Sequence, residues 1–467
     1  MSVTAETLSS ISVAALVTAM VANDKHSSEY TLVVGLGITG LSVVRHLQKK
    51  NKHIVVVDSR NNPPGKEVLA GEFPQVELYA GGFDEALFMG AEQIVVSPGV
   101  SLKENAVQHA LEQGVEVIGD IELFARQNKV SVIAVTGSNG KSTVISLLGE
   151  MAKTVGINAR VGGNIGVPVL DLIHSNADLY ILELSSFQLE SVQSLAPIAA
   201  AVLNVSPDHM DRYDSYEEYV STKMRIYKQC KAAVLNRDDQ SIAPMQASHK
   251  QVSGFTLNEP AQGDFGLRTL DREVWLCKGS SKLIAEKSLR LSGQHNLANA
   301  LAALALGEVA GFPLADMLST LMHFSGLGHR TQRVAEKNQV CWVNDSKGTN
   351  VGATIAAING LKIENKLILI AGGLAKGADF SALKNAVEKN TRTVVLMGKD
   401  AVKIEQALQA CVPVFYAKDM QDAVQIAESL SHPGDTVLLS PACASFDMFN
   451  GFEHRGEMFV QAVEGLQ

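Results

Sequence analysis

From Tyr30 onward the chain alternates short apolar, β-branched runs with longer stretches whose apolar residues recur at helical spacing. Thr31 to Val34, His53 to Val57 and Ile94 to Val96 read as buried strands, and the stretch from about Gly40 to Lys50 reads as a helix. This rhythm predicts a parallel α/β sheet, because parallel strands need helical crossovers and are apolar on both faces. The pattern restarts at Val130 to Val135, followed by a glycine turn and an apolar helix from about Ser142 to Val155. Leu179 to Leu184 and Ala200 to Val205 continue it as buried strands, and Ala232 to Leu291 holds several shorter ones. A third restart follows Gly328, with strands at Val340 to Asn344, Lys366 to Ala371, Thr393 to Met397 and Thr436 to Leu439, and a helix at Val351 to Asn359. The expected organisation is an N-terminal extension (1–29) and three α/β domains at 30–125, 126–328 and 329–467.

Composition agrees with several cores: 467 residues, 46% of them hydrophobic, exceed the ~250 residues at which a single core stops growing. A net charge of -9 argues against a broad basic face, so no nucleic-acid partner is expected and any anion must be held locally. Five scattered cysteines without a CxxC pair suit reduced thiols. The apolar stretch Ile11 to Ala22 lacks a basic start and is followed by the polar run Asn23 to Glu29. At about a dozen residues it is too short to span a membrane. A cytoplasmic monomer with no membrane partner is expected.

Two glycine turns carry candidate chemistry. Gly35-Leu36-Gly37-Ile38-Thr39-Gly40 follows a strand and opens a helix, and Asp58 ends the next strand. That is the dinucleotide fingerprint in its structural context, where bare backbone and a helix N-terminus meet a pyrophosphate. Taken alone it points to NAD and an oxidoreductase, but a UDP-linked sugar carries the same diphosphate. Thr136-Gly137-Ser138-Asn139-Gly140-Lys141-Ser142-Thr143 also joins a strand to a helix. Val135 stands where strict Walker A spacing has glycine, yet the chemistry survives. Backbone N–H groups of 138–140 can cradle phosphate oxygens, Lys141 can reach the β/γ-phosphates and Ser142 can bind Mg²⁺. The N-terminal domain is therefore expected to be Rossmann-like and the central one a P-loop-type ATPase domain, and the strand–helix rhythm after Gly328 is expected to give a Rossmann-like α/β C-terminal domain.

The second turn resembles the ATP loop of the Mur ligase family, to which folylpolyglutamate synthetases are related. Further strings follow in that family's order: Gly162-Gly163-Asn164-Ile165-Gly166, Leu182-Glu183-Leu184-Ser185-Ser186-Phe187-Gln188-Leu189, Asn204-Val205-Ser206-Pro207-Asp208-His209-Met210-Asp211-Arg212-Tyr213, Ser292-Gly293-Gln294-His295-Asn296, Gly328-His329-Arg330, Asn344-Asp345-Ser346-Lys347-Gly348-Thr349-Asn350 and Leu439-Ser440-Pro441-Ala442-Cys443-Ala444-Ser445. The resemblance runs from about Leu32 to the C-terminus. Ser-Ser-Phe-Gln and Ser-Pro-Ala-Cys-Ala-Ser resemble the branch that adds D-glutamate, and nothing resembles the arginine-bearing pocket of the diaminopimelate-adding branch.

The resemblance implies ATP-dependent joining of D-glutamate to UDP-N-acetylmuramoyl-L-alanine through an acyl phosphate, with ATP, two Mg²⁺ sites and a CO₂-derived carbamate on Lys223. It implies catalytic roles for Lys141, His209 and Lys223, and metal contacts from Ser142, Glu183, His209 and Lys223. ATP would meet Gly137, Ser138, Asn139, Gly140, Lys141, Ser142, Thr143, Asn296, Asn299, Arg330, Asp345 and Lys347. The UDP substrate would meet Ile38, Thr39, Asp58, Ser59, Arg60, Gly81, Asn164 and His209. D-glutamate would meet Thr349, Lys376, Ser445, Phe446 and Phe452. ATP contacts so far apart in sequence imply domain closure, with a hinge near 326–330. Alternatives are another amino-acid ligase of this family, an NAD-dependent oxidoreductase, and a non-catalytic binder of muramoyl nucleotides. The oxidoreductase reading leaves the second glycine turn unexplained.

Overall fold

The structure is a computed structural model that describes residues 30–173, 176–242, 251–291, 293–361 and 363–466. The N-terminal extension with its apolar stretch, and Ser292, lie outside the described residues. The chain forms two compact units. The first holds residues 30–129 with 162–173 and 187–195. Its strands β1 (Thr31–Val34), β2 (Ile54–Asp58), β3 (Glu77–Ala80), β4 (Gln93–Val96) and β5 (Glu116–Gly119) form one parallel sheet in the order β3-β2-β1-β4-β5. Leu32, Val34, Val55, Val57, Phe88, Ile94 and Val96 build its core. The strand order reverses between β1 and β4, which places a crevice beyond their carboxyl ends, where sheets of this kind bind ligands. The fingerprint turn opens the helix Ile38–Gln48 there. Gly40 must lack a side chain, because a Cβ would collide with the Gly35 carbonyl oxygen.

The second unit contains two sheets. The larger runs β14 (Ser281–Ala285), β13 (Glu273–Lys278), β12 (Phe265–Leu270), β11 (Gln251–Phe255), β10 (Ala232–Asn236), β9 (Ala199–Val202), β6 (Ser131–Thr136), β8 (Leu179–Glu183) and β7 (Ala159–Gly163). From β11 through β10, β9 and β6 to β8 the pairing is parallel, whereas β12, β13 and β14 form an antiparallel meander. β9 ends three residues before the expected Val205, because the backbone beyond it binds loops instead. The Asn204 carbonyl accepts from Ser138 N at 2.9 Å, and Val205 N donates to Asp239 at 2.8 Å.

The smaller sheet runs β15 (Gln332–Lys337), β16 (Val340–Asn344), β20 (Thr436–Leu439), β17 (Leu367–Gly372), β18 (Thr391–Met397) and β19 (Val414–Tyr416). Only β15 pairs antiparallel in it. Two apolar layers cover its faces, one around Leu369, Leu396 and Leu438, the other around Trp342, Ile370, Val395 and Phe459. With the fingerprint sheet, these make the three-domain α/β fold that the sequence pattern predicts. The five cysteines are free thiols. Among the described residues, no helix is long and apolar enough to cross a membrane.

Candidate nucleotide and substrate sites

In the second unit the turn after β6 wraps back on itself. Gly137 (φ +147) and Gly140 (φ +84) occupy backbone conformations that side chains disfavour. Asn139 N is held by the Asn204 side chain at 2.9 Å, and Asn204 Nδ2 returns a bond to the Asn139 carbonyl at 3.1 Å. The helix Lys141–Thr154 then begins, its free N–H groups and dipole favouring an anion at the turn. Lys141 Nζ lies over the loop, bonded to the carbonyls of Gly137 (2.9 Å) and Ser138 (3.1 Å). The Ser142 hydroxyl donates to the buried Glu183 carboxylate at 2.7 Å.

Lys223 comes to the same place from the helix Tyr216–Met224, which Ser215 caps through the Glu218 N–H and which carries Glu217 and Glu218 in its first turn. Its ammonium is 2% exposed, 3.2 Å from the Gly137 carbonyl and 4.5 Å from the Tyr219 ring centre. Burial, reinforced by Lys141, holds the amine well below the usual lysine range, which shifts it toward its neutral form. His209 follows β9 at φ +58 and is also held below the usual imidazole value, first by burial. Its N–H bonds the Asp208 carboxylate at 2.9 Å, whose other oxygen accepts from Asn350 at 3.2 Å. Asn350, which caps the helix Val351–Gly360, also bonds Asn139 at 3.1 Å, so the phosphate loop and the His209 loop are tied to the smaller sheet.

Across the loop lies a basic shelf from the third domain. Arg330, Asp345 and Lys347 line one cleft with Asn139, Gly140, Thr143, Asn296 and Asn299. Arg330 Nη2 is buried there without a hydrogen-bond partner. Lys347 Nζ stands 3.9 Å from the Phe452 ring centre, and burial, then Arg330 and Lys141, lower its pKa to about 8. Burial raises the Asp345 carboxyl to about 7 against bonds from Ser440 and Thr331. Asn204, Asn236, Phe255, His295 and Thr331 also line the cleft without having been assigned to it from sequence. Asn236 and Phe255 end β10 and β11, which run parallel to β9 and β6, so their carboxyl ends share the sheet edge that carries the phosphate loop, and that shared edge is the signal that could have found them.

The first unit has its own pocket, lined by Ile38, Thr39, Asp58, Ser59, Arg60 and Asn164 together with Gly35, Gly37 and Gln188. Gly81 is not among its lining residues; its N–H bonds the Asp58 carbonyl at 2.9 Å, and a Cβ there would collide with Asn61. His209 belongs to the second unit. Asp58 accepts from Leu36 N at 2.7 Å, Arg60 N at 2.9 Å, and Arg60 Nε and Nη2 at 2.9 and 2.7 Å. Burial pushes its pKa up, and these bonds outweigh burial and leave it low. A carboxylate so engaged with arginine and the loop backbone is poorly disposed to grip a ribose hydroxyl, the task the NAD reading gives it.

For the amino-acid set, Thr349, Lys376 and Ser445 lie in the loops after β16, β17 and β20, which are neighbours in the smaller sheet. Leu374 and Ala444 exchange backbone bonds at 2.9 and 3.0 Å, joining the second and third of these loops. Phe446 is 70% exposed, whereas Phe452 opens the last helix beneath Lys347. Among the described residues no group of three or more His, Cys, Asp or Glu gathers as a ready metal centre. The adjoining hydroxyl and carboxylate of Ser142 and Glu183 do fit Mg²⁺, which takes few protein oxygens and fills its shell with phosphate and water.

A phosphate loop facing a basic shelf from a second α/β domain, in a chain that also carries a separate fingerprint domain, is what an ATP-dependent ligase of three α/β domains needs. The chain belongs to the Mur ligase family. Residues 29–119 match the Mur ligase MurD-like N-terminal domain, 135–307 the Mur ligase middle domain and 329–443 the Mur ligase glutamate ligase domain. The UDP-N-acetylmuramoylalanine–D-glutamate ligase of Nitrosococcus oceani is 52% identical over 437 residues, 93% of this chain and 96% of that one. The enzyme of the same name from Marinobacter nauticus is 50% identical over 441 residues, 94% and 99% of the two chains. Among solved structures, MurF ligase from Thermotoga maritima in complex with ADP shares the fold with a TM-score of 0.61 at 16% identity, covering 94% of this chain and 99% of that one.

Proposed function

We infer that the chain joins D-glutamate to UDP-N-acetylmuramoyl-L-alanine with ATP, in cell-wall precursor synthesis in the cytoplasm. The carrying observation is the cleft in which the phosphate loop, Asn296 and Asn299 face Arg330 with a buried, unpartnered guanidinium nitrogen. Such a group in such a place suits a phosphate oxygen. The substrate carboxylate takes the γ-phosphoryl group and releases ADP; the D-glutamate amine then attacks the acyl phosphate, an amide forms and phosphate leaves. Arg330, Lys347 and Lys141 supply positive charge where the transferring group becomes most negative. His209, held toward its neutral form, keeps a ring nitrogen free to hold the metal. Ser142 and Glu183 would hold Mg²⁺, which neutralises phosphate charge when bound. The Lys223 amine, shifted toward its neutral form, is suited to attack CO₂: an N–C bond forms as one C=O bond becomes C–O⁻, the displaced N–H proton passes to solvent, and the carbamate would offer an anionic donor to the metal set with His209. The pocket around Ile38, Thr39, Ser59, Arg60 and Asn164 takes the UDP end, and the loops bearing Thr349, Lys376, Ser445, Phe446 and Phe452 take D-glutamate. The protein acts as a monomer.

The test is ATP-dependent phosphate release with UDP-N-acetylmuramoyl-L-alanine and Mg²⁺, comparing D-glutamate with L-glutamate, L-alanine, L-lysine and meso-diaminopimelate. Release with D-glutamate alone is expected. Release with a different amino acid moves the substrate, and silence with all of them removes the ligase reading.

A pH dependence follows from Lys347. In the nucleotide-free protein its ammonium is lost as pH rises through about 8, whereas bound phosphate favours the charged form. KM for ATP should therefore climb above pH 8 while kcat stays nearly level, and Lys347→Arg should flatten the climb. A wild-type KM that stays constant to pH 9.5 would contradict this role.

A further inference from the structure

Arg330 is flanked by two residues in the left-handed region, His329 at φ +58 and Thr331 at φ +49. For a β-branched residue this conformation is a marked outlier, and it persists only where neighbours enforce it. The neighbours of Thr331 come from both sides of the cleft. Its N–H and hydroxyl bond Asp345 Oδ1 at 3.0 and 3.4 Å, which fixes it to the smaller sheet. Its hydroxyl also meets His295 Nε2 at 3.4 Å, which ties it to the helix Gln294–Val309 of the central domain. The imidazole has little freedom. A Cβ added to Gly293 or to Gly360 would come within 3.0 Å of the ring, and Nδ1 is buried without a partner.

We propose that Thr331, pinned between Asp345 and His295, is a positioning residue that aims the Arg330 guanidinium at the nucleotide phosphates and holds the two domains together around them. The orphaned Nδ1 marks how strictly the ring is placed: a buried polar atom is left unpaired so that Nε2 can reach the threonine hydroxyl. Thr331 does not act on the reacting atoms; its effect passes through Arg330. The proposal rests on the ATP reading of the cleft.

The experiment is calorimetric binding of a non-hydrolysable ATP analogue with Mg²⁺ to the wild-type chain, Thr331→Val, Thr331→Ser and His295→Ala, with melting temperatures alongside. Valine keeps the shape and deletes the hydroxyl, and should weaken binding about tenfold, the scale for a lost bond to a charged acceptor. Serine restores the hydroxyl and should bind within about twofold of wild type. His295→Ala should weaken binding about threefold at an unchanged melting temperature, and it carries the test should the valine variant fold poorly. Wild-type affinity in both Thr331→Val and His295→Ala overturns the proposal, as does an equal loss in serine and valine. A wild-type chain that fails to bind the analogue refutes instead the ATP reading itself.

Discussion

Replacing Lys223 by alanine should lower turnover by about a hundredfold or more, the scale on which a site loses one preorganised charged group, and short carboxylic acids should return part of the loss. The expectation comes from where the amine sits: nearly sealed from water, above the phosphate loop carbonyl of Gly137, and held toward its neutral form. An amine of that kind is a nucleophile for CO₂, and the proposed carbamate would put an anionic oxygen donor where the amine stood. Alanine leaves space in which formate or acetate can put oxygens in roughly the same place. Lys223→Arg should be as inactive as alanine and insensitive to the acids, because guanidinium forms no carbamate and fills the space. Turnover at wild-type level in the alanine variant would remove the carbamate from the mechanism.

The second large effect is expected of Gly140→Ala. At φ +84 any side chain pays for the left-handed conformation, on the order of 1–2 kcal/mol, and here the new Cβ would also collide with the Asn299 amide. The loop must open or Asn299 must leave the cleft. ATP affinity should fall more than about tenfold, with the melting temperature lowered by only a few degrees, the shift that a loss of about 1–2 kcal/mol brings in a domain of this size. Combining Gly140→Ala with Asn299→Ala should not restore binding, since the backbone strain remains. Nucleotide binding by the single variant at wild-type strength, measured by calorimetry, would show that the loop is not held as described.

The strands that alternation revealed are the central ones. β1, β16 and β20 begin and end at the residues expected from their apolar runs, because both faces of these strands are covered. The strands that escaped notice are edges or short connectors: β3, with Glu77 and Ala80 exposed, β15, with its polar string Gln-Arg-Val-Ala-Glu-Lys, and β19, of three residues. Such strands are set by pairing with a neighbour, which the local pattern does not encode. The glycine turns were legible because φ and close approach demand glycine. Lys223 was not legible by itself, since a lysine on a polar helix reads as a surface residue. Only its resemblance to the family lysine separated it from one, and the group its amine meets is the Gly137 carbonyl, more than eighty residues earlier. Thr331 and His295 were missed for a related reason. Their importance lies in a contact across domains and in a backbone angle, neither of which has a composition.

Arg455 joins two loops of the third domain. Its guanidinium is 1% exposed and bonds the Ser346 hydroxyl at 3.0 Å, the Ser346 carbonyl at 2.8 Å and the Cys443 carbonyl at 3.1 Å. One rigid, planar cation thus spans the loop that bears Lys347 and the loop that bears Ser445. For anyone redesigning amino-acid selectivity, these loops are not separate cassettes. A graft that changes the length or backbone course of the 440–446 turn withdraws an acceptor from a buried charge, and the deficit is felt at the nucleotide shelf. Variation should therefore be confined to side chains pointing away from that cation, or should carry a matching change in the last helix.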